Sequence, residues 1–279
     1  MKILFCGDVV GRAGREAVAT HVPALRAELG LDFVCVNGEN AAAGFGITGK
    51  ICEELYAAGV DCITSGNHTW DQRETLAYID SDPRLLRPVN FPPGTPGLGV
   101  GLYLVASCRR VLVMNVMCRL FMDAIDCPFQ AAEKFLAENE LMRDADAILI
   151  DVHGEATSEK QAMGHFADGR VSMVVGSHSH VPTADGWVLP GGTAFQTDAG
   201  MCGDYDSIIG MKKEAPIFRF MRKIPGDRLA PAEGEGTLCG MFVETDDATG
   251  LAIRTEPVRL GGRLAQTMPA APRRAAVAE

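Results

Sequence analysis

The chain has 279 residues, 47% of them apolar and 22% charged, with a net charge of −10. This is the make-up of an ordinary soluble globular protein with a substantial core. Its longest apolar runs are about six residues, against the roughly 20 that a membrane helix needs, and the acidic balance argues against a long groove for duplex nucleic acid.

Lys2–Cys6 reads as a strand that Gly7-Asp8 ends, too short an apolar opening for a secretion signal. Helical periodicity follows over roughly 12–29, with Ala17, Val18, Val22, Leu25 and Leu29 on one face. Phe33–Val36 is a second buried strand, closed by Asn37-Gly38-Glu39-Asn40, and Thr48 starts the next helix. Val60–Thr64 is a third strand, ending in Ser65-Gly66-Asn67-His68, and Asp71 with Glu74 has the spacing of a capping box. Residues 81–97 are rich in proline and glycine and read as a long loop. Gly101–Ala106 and Arg110–Val116 form a hairpin, and Pro128 opens a helix to about 142. Ala147–Ile150 is a strand ending in Asp151-Val152-His153, and Ser158 with Gln161 suits a second capping box. Val171–Val175 is a strand that runs into Gly176-Ser177-His178-Ser179-His180. Thr193–Thr197, Thr237–Thr245 and Leu251–Arg259 are further strands, the last two joined at the turn-rich 246–250. Lys212, Lys213, Arg219, Arg222 and Lys223 read as a solvated helix face. From 261 to 279 the composition turns to Ala, Pro and Arg without periodicity, a mobile tail after a single domain over 1–260. Strands alternating with helices, plus hairpins in the middle and at the end, make an α/β fold with mixed sheets.

The nine cysteines, odd in number and without a C-x-x-C pair, read as buried small hydrophobes in a reducing cytoplasm. Gly7, Gly11 and Gly14 do not have the spacing of a dinucleotide fingerprint. The chemistry lies elsewhere. Four of the six histidines, His68, His153, His178 and His180, follow strand-like runs, and two more strand ends carry Asp8 and Glu39-Asn40. Taken singly, each residue has a plain reading: Asp8 a turn or cap, Glu39 a solvated loop charge, Asn40 and Asn67 turn residues, His153 a satisfied partner of Asp151. Together they converge, because an open α/β sheet places its crevice at the carboxyl ends of its strands. Oxygen and imidazole donors without thiolate suit borderline cations such as Mn, Fe, Zn or Co, and one carboxylate can bridge two of them about 3.5–4 Å apart for work on phosphoryl groups.

Gly7-Asp8, Gly38-Glu39-Asn40, Gly66-Asn67-His68, His153 and Gly176–His180, in that order, resemble the five blocks of the calcineurin-like metallophosphoesterases. The closer resemblance is to the YmdB-like branch, carried by residues 7–11, 38–44, 66–71, 153–160 and 197–201 and covering roughly 1–260. It implies a four-layer α-β-β-α sandwich with two mixed β-sheets. It also implies a phosphodiesterase for small diesters, notably 2′,3′-cyclic nucleotides, with two metal ions: Fe or Mn first, with Zn, Co or Mg as alternatives. Asp8, Asn40 and His180 would hold the first ion; Asn67, His153 and His178 the second; Glu39 both. His68 would be the general acid. Position 10 is Val where most members of the wider superfamily have a metal-binding His, and Glu39 stands where an Asp is usual. A nucleotide phosphomonoesterase would share every one of these residues, and so would a regulatory metal- or nucleotide-binding protein with little turnover. The expected partner is the small substrate alone, without membrane or stable duplex nucleic acid and with room for a homo-oligomer, in the cytoplasm.

Overall fold

The computed structural model describes residues 1–270. Its elements in chain order are β1 (Lys2–Cys6), β2 (Asp8–Val9), α1 (Gly11–Leu29), β3 (Phe33–Asn37), α2 (Gly49–Ala57), β4 (Cys62–Thr64) and α3 (Thr75–Tyr78). After a 3₁₀ turn at Ile79–Ser81 come β5 (Val100–Leu104), β6 (Arg110–Met117), α4 (Pro128–Glu138), β7 (Ala147–His153), α5 (Thr157–Phe166), β8 (Met173–Ser177), β9 (Trp187–Val188) and β10 (Ala194–Gln196). The last are β11 (Met201–Cys202), α6 (Glu214–Arg222), β12 (Leu238–Thr245) and β13 (Ala252–Leu260). One sheet has the order β13-β12-β1-β3-β4, a second the order β5-β6-β7-β8-β10-β9, and β2 pairs with β11 alone.

Alternation along the strands assigns the layers, since successive side chains point to opposite faces. Leu4, Cys6, Val34 and Val36 pack with Val18, Val22 and Leu25 of α1 and Leu55 of α2. Their neighbours Ile3, Phe5, Phe33 and Cys35 pack instead with Val111, Val113, Leu149, Met173 and Val175 of the second sheet. On that sheet's far side Leu112, Met114, Ile148, Ile150 and Val174 meet Ala132 and Phe135 of α4 and Met163 of α5. The stack is therefore helices, sheet, sheet, helices. Among the described residues no helix is long and apolar enough to cross a membrane. All nine cysteines are free, and seven of them are buried.

The details differ from the sequence expectation where tertiary partners intervene. Neither expected capping box forms. Asp71 instead pairs with His68, and Glu74 accepts from the Gly49 backbone N. α5 begins at Thr157 behind Ala156, which has no capping side chain, so Ser158 lies inside the helix. α4 stops at Glu138, four residues short of the expected end, where Asn139 leaves the helical conformation. The strand expected at 171–175 is shifted to Met173–Ser177, which brings its end directly against His178. Residues 261–270 double back on β13: Arg259 and Thr267 exchange backbone hydrogen bonds of 2.8 and 2.9 Å. The rest of the expected tail, 271–279, lies outside the described residues.

Candidate metal centre

The parallel strands β1, β3 and β4 of one sheet and β7 and β8 of the other end at the same edge of the sandwich. The turns that follow are shaped by close backbone approach. A Cβ at Gly7 would fall 1.8 Å from the Gly200 carbonyl oxygen, and one at Gly66 would fall 2.2 to 2.4 Å from His153 and the Glu39 carboxylate. Only glycine lets the loop after β4 lie across the site. His178 and His180 both have positive φ, 101° and 64°. Residues without glycine's freedom are held there only when their surroundings over-determine them. The restraint is visible. Asp198, buried with Lys160 at 2.8 Å, accepts from the backbone N of Ser179 and of Gly200, and the Tyr205 hydroxyl donates to the His180 carbonyl.

All seven ligand candidates meet. Glu39 Oε1 lies 3.1 Å from Asn40 Nδ2 and 3.1 Å from His153 Nε2, so one oxygen touches two groups of side chains. On one side, Asn40 Nδ2 is 3.2 Å and Asp8 Oδ1 is 3.9 Å from His180 Nε2. On the other, His153 Nε2 is 3.0 Å from Asn67 Oδ1 and 3.1 Å from His178 Nδ1. The His178 backbone N donates to Asp8 Oδ2, tying the two sides together. Glu39, His153 and His178 in particular offer ligand atoms that all lie within 4.8 Å of one another.

The imidazoles are oriented from behind. The carbonyl of Ile209 can only accept, so His180 Nδ1, 2.8 Å away, carries the hydrogen and Nε2 presents its lone pair inward. His153 Nδ1 is 2.9 Å from Ser177 Oγ, which itself donates to buried Asp151; that leaves Nε2 facing the site. His178 Nε2 lies 3.3 Å from Glu155 Oε2, and Nδ1 faces inward. Asp151, Ser177 and Asn37 were not singled out as functional by the sequence reading. Their signal is the two-residue spacing of Asp151 and His153 on one strand, which puts both on one face.

These residues fit a cation. Asp8 Oδ1 is buried and has no hydrogen-bond partner, an arrangement that costs free energy unless something positive faces it. Several lone pairs point at one another around Glu39, and the donors are oxygen and imidazole nitrogen only. The titration behaviour agrees. Burial alone would push the Glu39 carboxyl up, but the charge and hydrogen bonding of His153 and His68 outweigh it and hold it at about 2. Burial would push His153 down, yet Glu39, Asp8 and Asp151 raise it to about 9. Burial, helped by His153, lowers His178 to about 3. Burial raises Asp8 to about 6 against the pull of His180 and His153. In the metal-free protein a proton on His153 thus supplies the positive charge the carboxylates require. Val10 lies in a small apolar cluster with Met201 and Met211, and Asn40 occupies the gap beside His180. Turned over about its terminal bond, the Asn40 amide presents an oxygen there instead of a donor.

His68 sits at the rim. Its backbone N donates to Glu39 Oε2 at 3.1 Å, its Nδ1 is 2.8 Å from Asp71 Oδ2, and its ring meets Phe45 edge-on with centroids 5.1 Å apart. A cavity of about 260 Å³ opens in front, lined by the polar Glu39, Asn40, His68, His178 and His180 and by the apolar Phe45, Met211 and Leu229.

The YmdB-like protein family model matches residues 4–258. The chain belongs to that family. It is 47% identical over 258 residues to a Bacillus subtilis protein named 2′,3′-cyclic-nucleotide 2′-phosphodiesterase, covering 92% of this chain and 96% of that one. A crystal structure of a hypothetical protein from Thermus thermophilus superposes with a TM-score of 0.87 at 41% identity, over 94% of this chain and all of the other. A Mycoplasma pneumoniae structure described as a novel phosphatase gives 0.85 at 33% identity, over 94% and 93%.

Proposed function

We propose that the chain is a two-metal phosphodiesterase acting on small cyclic phosphodiesters of the 2′,3′-cyclic nucleotide type. Support comes from the family, from the activity named for the Bacillus subtilis relative, and above all from one observation: Glu39 Oε1 is equidistant from Asn40 and His153, the inner members of two donor groups. Asp8, Asn40 and His180 would hold one cation, Asn67, His153 and His178 the other, with Glu39 common to both. Fe and Mn match these donors best. When bound, such a pair supplies Lewis acidity toward the phosphoryl oxygens and makes a nucleophile available from water near neutral pH.

The rest of the work belongs to side chains of the chain itself. The donor edge of the cavity takes the phosphate, and the wall of Phe45, Met211 and Leu229 takes the base and ribose. Asp71 accepts from Nδ1 and fixes the His68 ring, so that the Nε2 proton of the doubly protonated imidazole would pass to the departing alkoxide. Cleavage of a cyclic diester frees one hydroxyl, and His68 is the acid that protonates it. The imidazoles of His178 and His180, held from behind by Glu155 and the Ile209 carbonyl, keep their inner nitrogens turned toward the site.

A substrate panel tests the reading. With added Mn or Fe, turnover of 2′,3′-cyclic AMP should exceed that of p-nitrophenyl phosphate, and chelation should abolish it. Full activity in chelated protein would refute the metal requirement. A strong preference for p-nitrophenyl phosphate would favour a monoesterase, the alternative that the phosphatase description of the Mycoplasma pneumoniae structure supports.

A further inference from the structure

The turn at Ile208–Met211 carries the wrong residue for its geometry. Ile208 and Met211 exchange backbone hydrogen bonds of 2.9 and 3.0 Å around a two-residue tip, and both tip residues have positive φ, Ile209 at 48° and Gly210 at 92°. Asn, Asp or Gly ordinarily comes first in such a tip. Gly210 suits its place, since a Cβ there would fall 2.7 Å from Val10 Cγ1. Ile209 does not. A β-branched side chain crowds its own backbone in the left-handed region, and holding it there costs free energy. Packing does not offset that cost, because Ile209 is 55% exposed.

The two ends of this residue do different things. Its carbonyl faces His180 Nδ1. Glycine or asparagine would offer the same carbonyl without strain. Its side chain lines the cavity in front of the donors, together with Phe45, Met211 and Leu229. Only the side chain therefore distinguishes isoleucine here, and a half-bare apolar group on a cavity gains stabilisation when a ligand covers it.

We propose that Ile209 is a specificity residue: its side chain contacts the base and ribose of the substrate, so that affinity depends on the nucleoside as well as on the phosphate. The inference rests on the phosphodiesterase reading above. One imidazole ring separates the Ile209 carbonyl from the His180 nitrogen that faces the donors, so the apolar contact is held at a fixed place relative to the phosphate. Ser207 braces the turn, its hydroxyl accepting from the Gly210 backbone N at 2.8 Å, and this keeps the strained tip from relaxing. A bare phosphate gains nothing from such a group. A nucleoside does, because a pocket discriminates by the apolar surface it covers.

Ile209→Asn tests the proposal, since it keeps the carbonyl, suits positive φ and removes the apolar surface. Thermal melts of the chelated protein should show it about 2–4 °C more stable than the wild type. With manganese, the ratio of kcat/KM for 2′,3′-cyclic AMP to that for ethylene phosphate, the same five-membered ring without sugar or base, should fall about 10-fold, and the loss should lie in KM rather than kcat. Ile209→Val, shorter by one methylene, should restore the ratio to within about fourfold and cancel the gain in stability. An unchanged ratio in Ile209→Asn would overturn the proposal. So would an equal loss on both substrates, which would make the residue a support for His180 alone. A wild type that hydrolyses neither substrate would remove the phosphodiesterase reading itself, and this inference with it.

Discussion

His153 holds a proton in the metal-free protein for the same reason that it would hold a metal when loaded: two buried carboxylates, Glu39 and Asp8, need a positive neighbour. The pH dependence follows from the direction of each shift. His153 is raised from 6.5 to about 9, so its contribution to stability is complete below about 6.5 and lost as pH rises through 9. Glu39 is lowered from 4.5 to about 2, so its contribution is complete above about 4.5 and lost only as pH falls through 2. Asp8 is raised from 3.8 to about 6, so its contribution is complete below about 3.8 and lost as pH rises through 6. The metal-free protein should therefore melt at progressively lower temperature between pH 6 and 9. A cation replaces the lost protons, so the stabilisation gained on metal loading should grow over the same interval. Thermal melts with and without chelator check this, and parallel profiles would contradict it. At His68 the expectation is kinetic. His68→Ala keeps the backbone N–H to Glu39, so metal content should be unchanged while kcat falls by roughly 10²–10⁴. Equal loss of metal and activity would mean that His68 acts as a ligand.

The loops that present these residues are fixed by elements well outside the site. Lys160, on α5, is fully buried and ion-paired to Asp198, which in turn holds the backbone on which His178 and His180 sit. Removing one partner of such a pair strands a buried charge, and Lys160→Met should cost about 3–5 kcal/mol of unfolding free energy. It should also weaken metal retention, since the two histidines occupy strained φ. Denaturant unfolding with elemental analysis measures both; a change within about 0.5 kcal/mol would show the pair to be dispensable. The same elements mark what the sequence could and could not disclose. Each block of the candidate site was readable because a short apolar strand stops at a glycine turn bearing an unusual polar residue, as at Gly66-Asn67-His68. The capping boxes were misread because Asp71 and Glu74 have the right spacing but better partners in space, His68 and Gly49. The two-residue strands β2, β9 and β11 carry too few residues for any periodicity. α6 was visible only through its basic residues.

At the level of the whole molecule, the two sheets converge on one edge, and that edge joins residues 8 to 180 into a single centre. Alternation on β1, β3, β6, β7 and β8 determines which side chains face the helices and which face the other sheet; the strand patterns disclosed an α/β fold with mixed sheets, and the four layers came only from the family resemblance. The candidate ligands were legible only as a set, since no single Asp, Asn or His among them differs locally from a turn residue. What neither periodicity nor spacing contains is the support behind the ligands, Asp151–Ser177, the Ile209 carbonyl and Asp198–Lys160, because each joins segments brought together only by folding. Anomalous diffraction from crystals of manganese-loaded protein tests the central claim most directly. Two peaks about 3.5–4 Å apart, one among Asp8, Asn40 and His180 and one among Asn67, His153 and His178, with Glu39 between them, are expected. A single peak, or peaks away from Glu39, would contradict it.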